Sequence, residues 1–177
     1  EKGRQWEQAL LLIKELEKAG ITLNVIGCSA AMSACMKGEH WERTLLLTEE
    51  MQQTGMNLDV ISFSTAISAC EHGGQWQRAL SFLEEMQKTG MAPDELNFNA
   101  AISACQKCGQ WEQAVSVLTE MQNAGMTPDV INFNAALIAC QQAGQWERAL
   151  SLLQKARSGD MTPDVIGLRT AISACEE

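Results

Sequence analysis

Residues 95–129 read ELNFNAAISACQKCGQWEQAVSVLTEMQNAGMTPD, and residues 130–164 read VINFNAALIACQQAGQWERALSLLQKARSGDMTPD. Aligned end to end, the two segments share a Trp, a Cys, a Gly and a closing Pro-Asp. The same positions recur along the whole chain. Tryptophan stands at Trp6, Trp41, Trp76, Trp111 and Trp146, and cysteine at Cys35, Cys70, Cys105, Cys140 and Cys175. A fixed interval within roughly 20–50 residues marks a stacked repeat array, not a single globular core.

Cutting at each Val-Ile or its equivalent gives complete units at 25–59, 60–94, 95–129 and 130–164. Partial units flank them at 1–24 and 165–177. On this reading 1–177 is one array, a window of a longer protein. Each unit holds two apolar stretches of helical length. Phe133, Ala136, Leu137 and Cys140 in the first stretch, and Trp146, Ala149, Leu150 and Leu153 in the second, fall at i, i+3, i+4 and i+7, one face of a helix. Gly74, Gly109 and Gly144 separate the helices. Gly20, Gly55, Gly90 and Gly125 follow the second helix, where a left-handed residue ends it. Pro93, Pro128 and Pro163 then prevent its continuation. No stretch alternates with period two, so an all-α fold of stacked hairpins is expected.

Composition narrows the function. At 46% hydrophobic and 20% charged with three Pro, the chain is neither disordered nor collagenous. No apolar run approaches the roughly 18 residues of a membrane span. Nothing resembles a nucleophile–base pair, a phosphate-cradling loop or a paired-carboxylate site, so no catalytic residue and no small-molecule substrate is expected. The periodic cysteines occupy equivalent places in neighbouring units. Packed helices lie about 8–10 Å apart, beyond the roughly 7 Å Cα separation that a disulfide tolerates. They are read as small buried hydrophobes in a reducing compartment. Cys105 and Cys108 form a single CxxC with no second pair, and neither His40 nor His72 completes a zinc spacing, so no metal or other cofactor is expected. The tryptophans and Met51, Met86 and Met121 are read as packing residues.

A 35-residue helical hairpin that ends in Pro-Asp and begins Val-Ile-x-Phe-Asn resembles the pentatricopeptide repeat, of the P type. The likeness covers essentially the whole chain. It implies a right-handed α-solenoid that binds single-stranded RNA in an organelle, chloroplast or mitochondrion with the chloroplast favoured, one base per repeat. In that family the fifth and last residues of a repeat meet the base edge. The corresponding pairs are Ser29 with Asp59, Ser64 with Asp94, Asn99 with Asp129, and Asn134 with Asp164. Branched aliphatics at the second position sandwich the bases, which points to Ile26, Ile61, Leu96, Ile131 and Ile166. Lys37 and Lys107 stand where a family lysine approaches phosphate, whereas His72 and Gln142 occupy that place elsewhere.

Elementary chemistry supports part of this assignment. An ionised carboxylate only accepts, so Asp suits a base with an N–H on its pairing edge, uracil or guanine. Short Ser leaves room for a purine and Asn suits a pyrimidine, which with the family's code gives 5′-GGUU-3′. Each position also has a structural reading. The aspartates precede helices and could be N-caps, the aliphatics could pack between repeats, and Ser and Asn are common at helix entries.

A net charge of −9 is unusual for a nucleic-acid binder. The first-helix stretches carry Lys37 and Lys107 against Glu71 and Glu95 and are neutral as a set; the acid sits on the second helices. An acidic scaffold contacting other proteins of an organellar complex is therefore the alternative function.

Overall fold

Asparagine or aspartate stands at each described repeat junction and starts the helix that follows. Asn24, Asp59 and Asp129 have extended backbone, as does Asp94, and each side chain accepts from the amide three residues on. The O···N distances are 2.9 Å to Gly27, 2.7 Å to Ser62, 3.0 Å to Asn97 and 2.9 Å to Asn132. Such caps satisfy one of the orphan amides of the first turn. They begin α1 (Val25–Lys37), α3 (Val60–His72), α5 (Glu95–Lys107) and α7 (Val130–Gln142). The second helices each begin at the periodic Trp: α2 (Trp41–Gln53), α4 (Trp76–Lys88), α6 (Trp111–Asn123) and α8 (Trp146–Ser158). A further first helix, α9, runs over Val165–Ala174. The structure, a computed structural model, describes residues 24–158 and 165–174 together with the helical positions Gln8, Leu11 and Glu15. The expectations for Gly20, Pro163 and Cys175 lie outside these.

Both turns of the hairpin close in the same way. After the first helix, the carbonyl of the periodic Cys accepts from the amide five residues on, as in Gln75 N to Cys70 O at 2.8 Å and Gln145 N to Cys140 O at 2.8 Å. After the second helix, Met51 and Met86 accept likewise from Met56 and Met91, each at 3.0 Å. This closure needs a left-handed residue. Gly55, Gly90 and Gly125 supply it at φ 72–81°, and Gly74, Gly109 and Gly144 at φ 62–65°. In the first unit the residue is Glu39, at φ 63°. An L side chain there costs about 1–2 kcal/mol, partly offset by the greater chain entropy that glycine loses. Glu39→Gly should therefore raise stability by about 0.5–1 kcal/mol, read as a higher urea midpoint.

The chain divides between Ala92 and Pro93 into two compact units. In the first, α1 packs on α2 and α3, α2 on α3, and α3 on α4. In the second, α5 packs on α6 and α7, α6 on α7, and α7 on α8 and α9, while α8 and α9 also meet. Each unit thus repeats one rule: a first helix contacts its own partner, the next first helix and the preceding second helix. The first-helix stripe is as expected, with Phe133, Ala136, Leu137 and Cys140 buried. The second-helix stripe is rotated from expectation. Ala149, Leu152, Leu153 and Ala156 are buried in α8, whereas Trp146 is 47% and Leu150 37% exposed. In α2 and α6 the tryptophan flanks the stripe and reaches toward the following repeat. Trp41 lies so close over Gly73 that a Cβ there would sit 2.5 Å from its ring. Trp111 is half-buried and faces the guanidinium of Arg148, 5.9 Å from the ring centre.

Cys35, Cys70, Cys105 and Cys140 are fully buried, and no disulfide joins any of the described cysteines. Burial pushes the Cys70 thiol up to about 12 against the pull of Arg78. It takes Cys105 to about 12, with Cys108 adding to the rise, and Cys140 to about 11, with Arg148 opposing. The folded thiols stay neutral where unfolded ones, at the ordinary value of 9.0, ionise. Their contribution is fully present below pH 9 and is lost as pH rises toward 11–12. Stability should accordingly decline over that window in pH-dependent urea titrations, and a thiol reagent at pH 8 should reach these positions only on unfolding.

Candidate nucleic-acid interface

The first turns of the first helices present large aliphatic side chains to solvent. Ile26 is 72%, Ile61 58%, Leu96 61% and Ile131 71% exposed. The packing alternative therefore does not account for them. They stand one residue into each helix, where the apolar stripe does not yet turn inward. The side chain of Ile166 lies outside the described residues.

The capping reading of the aspartates is observed for Asp59, Asp94 and Asp129. Each uses Oδ1 for the cap, and a carboxylate has further acceptor sites beyond that. Asp164 lies outside the described residues, so the fourth pair is seen only through Asn134. The fifth-position residues differ in access. Ser64, Asn99 and Asn134 are half-buried. Ser29 is only 4% exposed, and its hydroxyl donates to Ile26 O at 3.1 Å. The Ser64 hydroxyl similarly turns back on Val60 O at 2.8 Å. Lys37 and Lys107 are exposed at the C-terminal ends of α1 and α5.

Between α5 and α7 the structure forms a cavity of about 340 Å³. Asn99, Ile102 and Ser103 line one side, and Ile131, Asn132 and Asn134 the other. Two expected base readers and one expected sandwiching residue thus share one slot, with the Asp129 cap at the start of α7. Residues absent from the expected set complete the arrangement. Asn97 and Asn132, at the third position of their repeats, are 1% and 2% exposed. Each closes a capping box, its Oδ1 accepting from the capping residue's own amide, at 3.0 Å from Asp94 N and 2.8 Å from Asp129 N. The Asp-x-x-Asn spacing at 94–97 and 129–132 is the sequence signal that identifies them.

The model of the pentacotripeptide-repeat region of PRORP matches residues 27–175. The chain belongs to the pentatricopeptide-repeat family. No curated protein matches the sequence. Among solved structures, the pentatricopeptide repeat protein PPR10 from maize is 29% identical with a TM-score of 0.67, over 96% of this chain and 24% of that one. PPR10 in complex with an 18-nt psaJ RNA element is 24% identical with a TM-score of 0.70, over 97% and 25%. The pentatricopeptide domain of Arabidopsis thaliana protein-only RNase P 1, in complex with tRNA, is 14% identical with a TM-score of 0.79, over 97% and 91%. The present chain spans about a quarter of the PPR10 chains that it matches. The pentatricopeptide fold, all-α and of the α-solenoid kind, agrees with the hairpins seen in both units. Among the described residues, no group of three or more His, Cys, Asp or Glu could hold a metal ion, and no helix is long and apolar enough to cross a membrane.

Proposed function

We propose that this chain binds single-stranded RNA sequence-selectively, each repeat engaging about one base, with 5′-GGUU-3′ as the core read by repeats 25–59 to 130–164. The observation that carries the reading is the slot between α5 and α7. There an exposed Ile131 and the side chains of Asn99 and Asn134 line a cavity, and the capped Asp129 directly precedes the lining residues Val130 to Asn132. That PPR10 and the RNase P domain hold RNA in their crystal structures supports it. Ser64 with Asp94 and Ser29 with Asp59 read guanine on the same chemistry. Buried Ser29 makes the first guanine the least discriminated base. Lys37 and Lys107 approach phosphate. The biological setting is organellar RNA processing, stability or translation, without catalysis by these residues.

Near-neutral first helices give little phosphate attraction, and base contacts worth about 1–3 kcal/mol each must offset about 4–15 kcal/mol of association cost. This chain alone therefore binds weakly. Fluorescence anisotropy with labelled RNA containing GGUU, beside AAUU and the DNA equivalent, tests the reading. Preferential binding of GGUU RNA that weakens with salt is expected. Equal titration of GGUU and AAUU would refute the base assignment, and no binding at low salt would move the chain to a protein-contacting scaffold.

A further inference from the structure

We infer that Asn132 is a positioning residue that fixes which end of the Asn99 amide faces the base, and thereby sets uracil selectivity in repeat 95–129. The inference rests on the proposed reading of the Asn99–Asp129 pair and adds a residue outside that pair.

The chain of reasoning begins at a group whose polarity is not in question. The backbone amide of Asp129 can only donate, and it meets the Asn132 side chain at 2.8 Å. That contact must be Asn132 Oδ1. The other end of the same amide, Nδ2, then faces Asn99 and donates to Asn99 Oδ1. Asn99 has its oxygen occupied, so its own Nδ2 hydrogens are the polar groups left for the slot it lines. Here the backbone donor propagates one orientation through two side chains. The same Asn132 donates its backbone N–H to Asp129 Oδ1 at 2.9 Å. One buried residue therefore holds both members of the pair, at 2% exposure and with no rotamer freedom to spare.

The slot thus offers hydrogens from Asn99, and on the proposed reading Asp129, next in sequence to the lining residue Val130, supplies the acceptor. Uracil answers both, with an N3–H between two carbonyl oxygens. Cytosine has an acceptor at N3 and an amino group in place of one carbonyl, so it meets donor with donor and acceptor with acceptor. The relay requires an amide at the third position of the following repeat. The third-position residue packed against the Ser29–Asp59 pair is Ser62, whose buried hydroxyl has no hydrogen-bond partner. Ser62 gives its backbone N–H to Asp59 but carries no amide to extend to the fifth position.

Asn132→Asp removes the donor while keeping the shape. A carboxylate at 132 can accept only, so Asn99 turns its Nδ2 toward it and exposes Oδ1 to the base. Asn132→Ser, which borrows the residue tolerated at position 62, removes the donor by a second route in case the added charge beside Asp129 unfolds the repeat. Affinities for RNAs containing GGUU and GGCU would be measured by anisotropy for wild type, both variants and Asn99→Ala with and without Asn132→Ser, with melting curves for each. Uracil-over-cytosine discrimination at the third base should fall by about five- to tenfold in either variant. Discrimination at the two guanines should hold, and Asn132→Ser should change nothing once Asn99 is Ala. Wild type discriminating while a folded variant retains that discrimination overturns this inference alone. Wild type failing to discriminate uracil from cytosine overturns the base-reading proposal, and this inference with it.

Discussion

Phe63→Ala should destabilise the first unit by about 3–5 kcal/mol, the largest loss expected of a single truncation here. Phe63 is 1% exposed in α3 and meets Phe82 of α4 edge-on, with centroids 6.5 Å apart. Truncation removes the buried ring and an aromatic pair worth about 0.5–1.5 kcal/mol beyond its area. Both partners lie in one hairpin, so the damage should be local. Stability in repeat arrays is a sum of unit and nearest-neighbour terms, and a single global midpoint can average the effect away. Hydrogen exchange read helix by helix is the appropriate measurement. Protection should collapse across α3 and α4, while α7 and α8 change least. Uniform loss over the chain would show that the truncation is felt well beyond its own hairpin.

Ile131→Ser should leave stability within about 0.5 kcal/mol and weaken RNA binding about 5–30-fold. The first half follows from exposure: at 71% exposed, Ile131 contributes little to folding. The second follows from what a base would cover. Burying an isoleucine fully is worth about 1.5–3 kcal/mol, and covering the face that remains open is worth about 1–2 kcal/mol. Because an apolar face does not distinguish bases, the loss should be similar for GGUU and for GGCU. Parallel urea melts and anisotropy titrations check both halves. A stability loss with unchanged binding would return Ile131 to a packing role.

Much of the hairpin is legible in the sequence. The Trp interval, the Gly positions and the closing Pro-Asp carry the hairpin and its turns, because each follows from local backbone chemistry. The second-helix stripe is rotated from the one that spacing suggests, because Trp146 and Leu150 fit helical spacing with Ala149 and Leu153 as well as Leu152 and Ala156 do. Periodicity identifies a stripe of apolar residues but not which edge of it a neighbouring repeat covers. Ser29 shows the same limit: its burial is set by tertiary surroundings, whereas its repeat position is identical to that of Ser64. Asn97 and Asn132 are absent from the residues that the repeat pattern singles out. The Asp-x-x-Asn spacing signals their capping boxes, but the contact of Asn132 with Asn99, 33 residues away, is encoded by no local pattern. The capping and base-reading interpretations of the aspartates, which compete on paper, are compatible in space, because the cap uses Oδ1 alone.

That compatibility allows the two roles to be separated by one substitution. Asn caps helices about as well as Asp, so Asp129→Asn retains the bond to Asn132 N and should keep stability within about 0.5 kcal/mol. It replaces an acceptor-only group with one that can donate, as cytosine N3 requires. The decisive measurement is the set of four dissociation constants for wild type and Asp129→Asn against RNAs containing GGUU and GGCU. Wild type should favour GGUU by about tenfold, and the variant should lose that preference or invert it with its melting curve unchanged. An unaltered preference for GGUU in the folded variant would contradict base reading by Asp129 and leave it a helix cap alone.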